Sequence, residues 1–226
     1  MKRFVLLDTA AIPNNGGALS LFAYGEDFVI KLEGGKGGQL MNTRTHGSED
    51  ALARIPCSRL SGRPKARVLI GGLGMGFTLA SALRHLGQDA EVQVAELVPG
   101  VIDWNRGPLG DKAGKPLEDS RTRVLNRDVA ELLKAEPGGY DAIMLDVDNG
   151  PEGLTQSANT WLYSLDGLSA CARALRPGGI LAVWSASADR QFSQRLARAG
   201  FHAEEVQVYA HGNRGARHTI WICQLN

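Results

Sequence analysis

The residues able to do chemistry gather around one glycine-rich turn. Val68-Leu69-Ile70-Gly71-Gly72-Leu73-Gly74-Met75-Gly76-Phe77 runs from an apolar segment through glycines into a helical pattern. Glycine belongs where a turn takes left-handed dihedrals and where backbone must approach a ligand closely. A dinucleotide fingerprint, GxGxxG, needs glycine at position 77, where Phe77 stands. The spacing present is GxGxG, the one associated with S-adenosylmethionine sites. Gly72, Gly74, Met75 and Gly76 are therefore the expected nucleoside contacts, and a tight strand-to-helix turn with no ligand is the alternative. Roughly twenty residues on, Glu96 ends the next strand pattern, where a carboxylate can accept from both ribose hydroxyls. Its plainer reading is an acid at a helix N-terminus. Asp128 ends a third strand pattern. It is either an acceptor for the adenine amino group or simply the N-cap of the helix that follows. All three features fall at the carboxyl ends of successive strands, where ligands bind in parallel sheets.

A second group sits on the fourth strand, which ends in Leu145-Asp146-Val147-Asp148-Asn149-Gly150-Pro151. Asp146 and Asp148 are the candidate catalytic acids, and Asp146 also counts among the donor contacts. Asn149 is a candidate for binding the acceptor. Transfer from a sulfonium centre is an in-line displacement, so the protein mainly supplies positioning and a dry pocket. A base is needed when the acceptor is a protonated amine, and that is the role expected of Asp146. A turn rich in Asp and Asn for local hydrogen bonding is the competing explanation. The terminal turn carries His211, Arg214, Arg217 and His218. Of these, His211, Arg214 and His218 are candidate acceptor contacts for an anionic group, unless the turn is a solvated basic hairpin. His46, beside the first helix, is a further candidate for the mouth of the site.

These residues need a scaffold, and the pattern supplies one. Residues 1–45 carry short apolar runs at Phe4–Leu7, Ala18–Tyr24, Phe28–Leu32 and Gln39–Asn42, separated by glycine-rich turns. That spacing predicts a small antiparallel hairpin unit. Ser48 is read as the cap of a first helix, with Glu49 and Asp50 in its first turn. From Ala66 strands and helices alternate, and two last strands flank the turn from His211 to Ala216. The prediction for 46–226 is an α/β, doubly wound, mostly parallel seven-stranded sheet of class I methyltransferase type, closed by an antiparallel strand.

Bulk properties narrow the function. The 226 residues suit one α/β domain with a small appendage. The net charge of +1 gives no global signal for nucleic acid or for an anionic membrane surface. Cys57, Cys171 and Cys223 are widely spaced and odd in number, which predicts buried free thiols rather than a disulfide framework or a zinc site, and no metal is expected. The N-terminal apolar run is broken by Asp8 and is too short for a signal peptide core. With no run long enough to span a membrane, the cytoplasm is the default expectation.

Taken together, the residues resemble the spermidine synthase (polyamine aminopropyltransferase) family within the class I S-adenosylmethionine-dependent methyltransferase superfamily. The resemblance rests on the N-terminal β unit, the glycine turn, Glu96, Asp128, the Leu145-Asp146…Gly150-Pro151 segment and Leu175-Arg176-Pro177-Gly178-Gly179. It implies ribose binding by Glu96, the adenine side at Asp128, and deprotonation of an attacking amine by Asp146. It also implies that the N-terminal unit could pair across a homodimer, as it does in that family. The chain departs from the family where the turn typically reads GGGDGG. The acid that would hold the amine of a decarboxylated donor is replaced by Met75, and a Tyr-Gln pair in the first helix is replaced by Ser48-Glu49. The leading expectation is therefore a methyltransferase using intact S-adenosylmethionine on a small or medium acceptor. The alternatives are an aminopropyltransferase using decarboxylated S-adenosylmethionine and a nucleoside-binding protein without turnover.

Overall fold

The fold, seen in a computed structural model, is described for residues 3–14, 16–33, 38–147, 160–212 and 214–225. Asp148 and Asn149 lie outside these residues. The chain begins with a four-stranded antiparallel sheet in the order of the sequence: β1 (Phe4–Ala11), β2 (Ala18–Tyr24), β3 (Asp27–Leu32) and β4 (Gln39–Asn42). The first strand runs to Ala11, four residues beyond the apolar run that announced it, because its ladder with β2 continues to Ala11↔Ala18 past a bulge. The pairing outlasts the hydrophobic signal.

Helix α1 (Gly47–Arg59) follows. Its N-cap is His46, which makes no capping bond through its side chain. Ser48 is thus not the cap. It lies inside the first turn, fully buried, with its hydroxyl turned to other partners. The main domain then runs β5 (Arg67–Gly71), α2 (Phe77–His85), β6 (Glu91–Ala95), α3 (Pro99–Arg106), α4 (Gly110–Ala113), β7 (Thr122–Leu125), α5 (Val129–Ala135), β8 (Tyr140–Leu145), α6 (Leu165–Ala174), β9 (Leu175–Ser185), α7 (Arg190–Arg198), β10 (Phe201–His211) and β11 (Arg214–Leu225).

The seven strands lie in the order β10-β11-β9-β8-β5-β6-β7. The β5, β6, β7, β8 and β9 strands are parallel, and β11 enters antiparallel to β9. Alternate side chains along each central strand serve opposite faces. Val68, Ile70, Val92, Val94, Ala142 and Met144 join a core with α1, α2 and α3. Leu69, Ile143, Leu145, Leu181 and Val183 join a second core with α5, α6 and α7. Every residue of β8 is buried, as a strand covered on both faces requires.

The small sheet is not a separate appendage. Ala10, Ile12, Leu21 and Ile30 belong to the same core as Val68 and Ile70. Trp104 Nε1 in α3 donates to Asp8 Oδ2 at 2.7 Å. A Cβ at Gly100 would stand 2.4 Å from Ala10 Cβ, so only glycine lets the sheet settle on α3. The three cysteines are free and buried, and burial pushes the thiols of Cys57 and Cys171 up to about 12. Among the described residues no helix is long and apolar enough to cross a membrane.

Candidate active site

The chain crosses the sheet outward from β5 to β6 and β7, then returns to β8 on the other side of β5. That reversal opens a crevice at the strand carboxyl ends. A cavity of about 640 Å³ occupies it. Its floor is the turn from β5 to α2. Gly72, Gly74 and Gly76 all have positive φ, at +91°, +51° and +82°. Backbone in that region is costly for residues with a Cβ. Gly72 carries a second constraint: an added Cβ would lie 2.2 Å from the Asp146 carbonyl oxygen. The turn and the end of β8 therefore fit together only because position 72 has no side chain.

Glu96 fastens the turn from the other side. Its Oε2 accepts from Leu73 N–H at 2.9 Å, and its Oε1 accepts from Val98 N–H at 2.8 Å. Burial raises its pKa, against the pull of the surrounding backbone N–H groups, which favour the carboxylate. Glu96 also lines the cavity. Asp128 is the helix N-cap that one reading of the sequence expects. Its Oδ1 caps α5 by accepting from Ala130 N–H at 2.8 Å, and the residue lines the cavity.

Asp146 lies just past β8, where Oδ2 accepts from the Thr78 hydroxyl at 2.8 Å. Burial pushes its carboxyl up to about 6, although the Thr78 hydroxyl acts in the opposite direction. Across the cavity stands Glu49 from α1. Burial pushes Glu49 up to about 7, and the facing charge of Asp146 adds to the shift. Ser48 Oγ donates to Glu49 Oε2 at 2.5 Å, and His218 Nδ1 lies 2.9 Å from the same Oγ. Trp184 meets the His218 ring edge-on at 4.8 Å between centroids. The small sheet supplies the roof through Ile12, Ile30 and Met41.

The structure thus gathers Gly72, Gly74, Met75, Glu96, Asp128, Asp146 and His218 around one cavity. Gly76 is not among its lining residues. It packs the other way, where an added Cβ would meet Asn105 Oδ1 at 2.8 Å. His211 and Arg214 are also outside. The last two strands extend to these residues and pair them, so both stand exposed at the hairpin tip. Of the basic cluster only His218, further down β11, reaches the site. His46 stacks on Phe77 at 4.0 Å and bonds Asp50 at 2.8 Å, a structural role. Sequence reasoning does not assign Thr78, Trp184 or Met41, and it reads Ser48 and Glu49 as a helix start that stands where the resembling family carries Tyr-Gln, with Glu49 a hint of a cationic acceptor. That pattern is common enough to mask a second use.

A doubly wound sheet with this crevice is the class I methyltransferase-like fold, and comparison with known proteins places the chain within it. Residues 29–199 match the family model for the spermine/spermidine synthase domain. The chain belongs to that family. It is 33% identical over 123 residues to a polyamine aminopropyltransferase of Mycobacterium tuberculosis (strain H37Rv), covering 53% of this chain and 23% of the relative. It is 37% identical over 134 residues to polyamine aminopropyltransferase 2 of Streptomyces coelicolor, covering 57% and 23%. Putrescine N-methyltransferase 4 of Nicotiana tabacum is 32% identical over 138 residues, covering 61% and 34%. The chain thus matches between about a quarter and a third of the length of these relatives. Among solved structures, spermidine synthase from Thermotoga maritima superposes with a TM-score of 0.73 at 17% identity, covering 96% of this chain and 71% of that one.

Proposed function

We propose that this chain is a transferase that moves an aminopropyl group from decarboxylated S-adenosylmethionine to an amine acceptor. The observation that carries this reading is the charge of the cavity. Glu49, Glu96, Asp128 and Asp146 line it, while Arg127 and His218 are the lining residues able to carry positive charge among those described. Arg127 is half exposed and bonded to Glu131 at 3.0 Å, and burial lowers the pKa of His218. An intact methionine tail would bring a carboxylate into this acidic cavity without a dedicated cation to meet it. A decarboxylated tail brings an ammonium instead, and an amine acceptor brings another. Charge balance favours both. The preference reverses the leading sequence expectation, and the aminopropyltransferase relatives support the reversal.

In this reading the turn at Gly72 and Gly74 receives the nucleoside, Glu96 accepts from the ribose and Asp128 faces the adenine. Asp146 takes the proton of the acceptor ammonium. The freed nitrogen attacks the carbon bound to sulfur, the N–C bond forms, and the C–S electron pair returns to sulfur, leaving a neutral thioether nucleoside. A raised pKa suits a carboxylate that must hold a proton for part of the cycle near neutral pH.

One observation favours a second reading, methyl transfer from intact S-adenosylmethionine to an amine. Met75 is buried and lines the cavity at the position where the family turn carries an acid. Calorimetric titration with each donor, followed by mass spectrometry of the product formed with a diamine, separates the two. Tighter binding of the decarboxylated donor and a product heavier by an aminopropyl group are expected. Preference for the intact donor with a methylated product overturns the first reading in favour of the second.

A further inference from the structure

The acceptor side of the cavity is built by α1 as well as by β8. Ser48 is fully buried, and its single hydroxyl proton is given to Glu49. The 2.9 Å contact from His218 Nδ1 then has the imidazole donating and Ser48 Oγ accepting. Trp184 holds the ring from its edge. The chain of bonds from β11 through Ser48 ends at Glu49, which lines the same cavity as Asp146. Asp146 in turn is held from behind by Thr78.

The remaining charges nearby are already matched. Asp50, the next residue along α1, bridges Arg84 at 2.9 Å and His46 at 2.8 Å. Arg84 is thus committed to Asp50, and among the described residues no basic side chain forms an ion pair with Glu49 or Asp146. Both residues are half-buried and line one cavity, and two carboxylates so placed either share a proton or take a cation between them.

We propose that Glu49 is a second carboxylate of the reaction centre, that it and Asp146 receive the acceptor ammonium between them, and that Ser48 and His218 are positioning residues which aim Glu49 at it. The proposal rests on the amine-acceptor part of the function proposed above and holds for either donor. The ammonium gives one proton to the pair. Its nitrogen then forms the new bond to carbon while the C–S pair returns to sulfur. The product leaves as an ammonium, and the pair releases its proton to water.

The test is calorimetric titration of 1,4-diaminobutane into the protein saturated with 5′-methylthioadenosine, which fills the donor site without reacting. Running it near pH 6.5 in buffers of different ionisation enthalpy counts the protons released. The wild type should release protons as the diamine displaces the one shared by the pair. Glu49→Gln should bind the diamine about tenfold or more weakly, as expected for loss of a buried charge pair, and release fewer protons. Its 5′-methylthioadenosine affinity should stay within about twofold, which also certifies the fold. Ser48→Ala should shift the pH midpoint of proton release, and Ser48→Thr, which keeps the hydroxyl, should restore it. Equal diamine affinity and equal proton release in wild type and Glu49→Gln overturn the proposal. If the wild type does not bind 5′-methylthioadenosine, the donor assignment has failed instead. The same diamine titration without nucleoside then decides the role of Glu49.

Discussion

Replacing Glu96 by glutamine tests the floor of the site with little change in shape. The carboxylate accepts two backbone bonds, from Leu73 at 2.9 Å and Val98 at 2.8 Å. An amide keeps one acceptor oxygen and turns the other position into an NH₂ group that must face an N–H. One charge-assisted bond is lost, worth about 1.5–3 kcal/mol, and a buried N–H left unmatched adds about 1–3 kcal/mol. Removing a buried charge recovers part of the desolvation that raises the Glu96 pKa. The net loss is on the order of 2–3 kcal/mol, which for a domain of this size lowers Tm by roughly 5–10 °C. If Glu96 accepts from the ribose hydroxyls, Glu96→Gln also loses one of those acceptors. The affinity for 5′-methylthioadenosine should then fall by about tenfold to a hundredfold. Differential scanning calorimetry and isothermal titration measure the two effects on the same preparation. An unchanged Tm would refute the clamp, and an unchanged nucleoside affinity would refute the ribose assignment.

Asp146→Asn should lower kcat by about a hundredfold or more, the usual scale of a lost general base, while 5′-methylthioadenosine still binds; steady-state kinetics with a diamine checks this. Gly72→Ala forces a Cβ to within 2.2 Å of the Asp146 carbonyl oxygen in a left-handed backbone, so its transferase activity and Tm should both collapse, whereas Gly138→Ala, at φ +63° with open space around it, should keep its activity and lose only a modest amount of Tm. The double variant His211→Ala, Arg214→Ala should leave KM for the acceptor within about twofold, because both residues stand at the exposed hairpin tip. Glu49 predicts a pH effect on the ligand-free protein. Its folded pKa, about 7, lies above its ordinary value of 4.5, so the folded state binds that proton more tightly. The resulting stabilisation is complete below about pH 4.5 and is lost as pH rises through about 7. Relative to wild type, Glu49→Gln should therefore gain stability from pH 5 to pH 8, by about 2–3 kcal/mol in denaturant unfolding.

Much of this molecule was legible in one dimension. The alternation of strand and helix from Arg67 to Leu225 is written in the periodicity of apolar residues, and a doubly wound sheet is the arrangement that buries both faces of such strands. Gly72, Gly74, Glu96, Asp128 and Asp146 could be located because each sits at a strand end, where chain order and sheet order coincide. Local pattern failed where a residue has a second use. Ser48 and Glu49 look like a helix start, and only the packing of α1 over β8 and β11 turns one toward His218 and the other toward Asp146.

The same limit explains the residues that were misplaced. His211, Arg214 and His218 lie within eight positions of one another, yet each residue advances about 3.3 Å along a strand, so the paired His211 and Arg214 stand at the hairpin tip while His218, four residues further down β11, reaches the cavity. Gly76 shares the spacing of Gly72 and Gly74 but, as the left-handed N-cap of α2, packs against Asn105 of α3 instead of the cavity. Sequence by itself determined the scaffold and the carboxylates at its strand ends, because both depend on local periodicity and on the topology of parallel sheets. Tertiary structure alone decided the acidic pair, since Glu49 and Asp146 come to line one cavity only by packing a helix from one part of the chain against a strand from another.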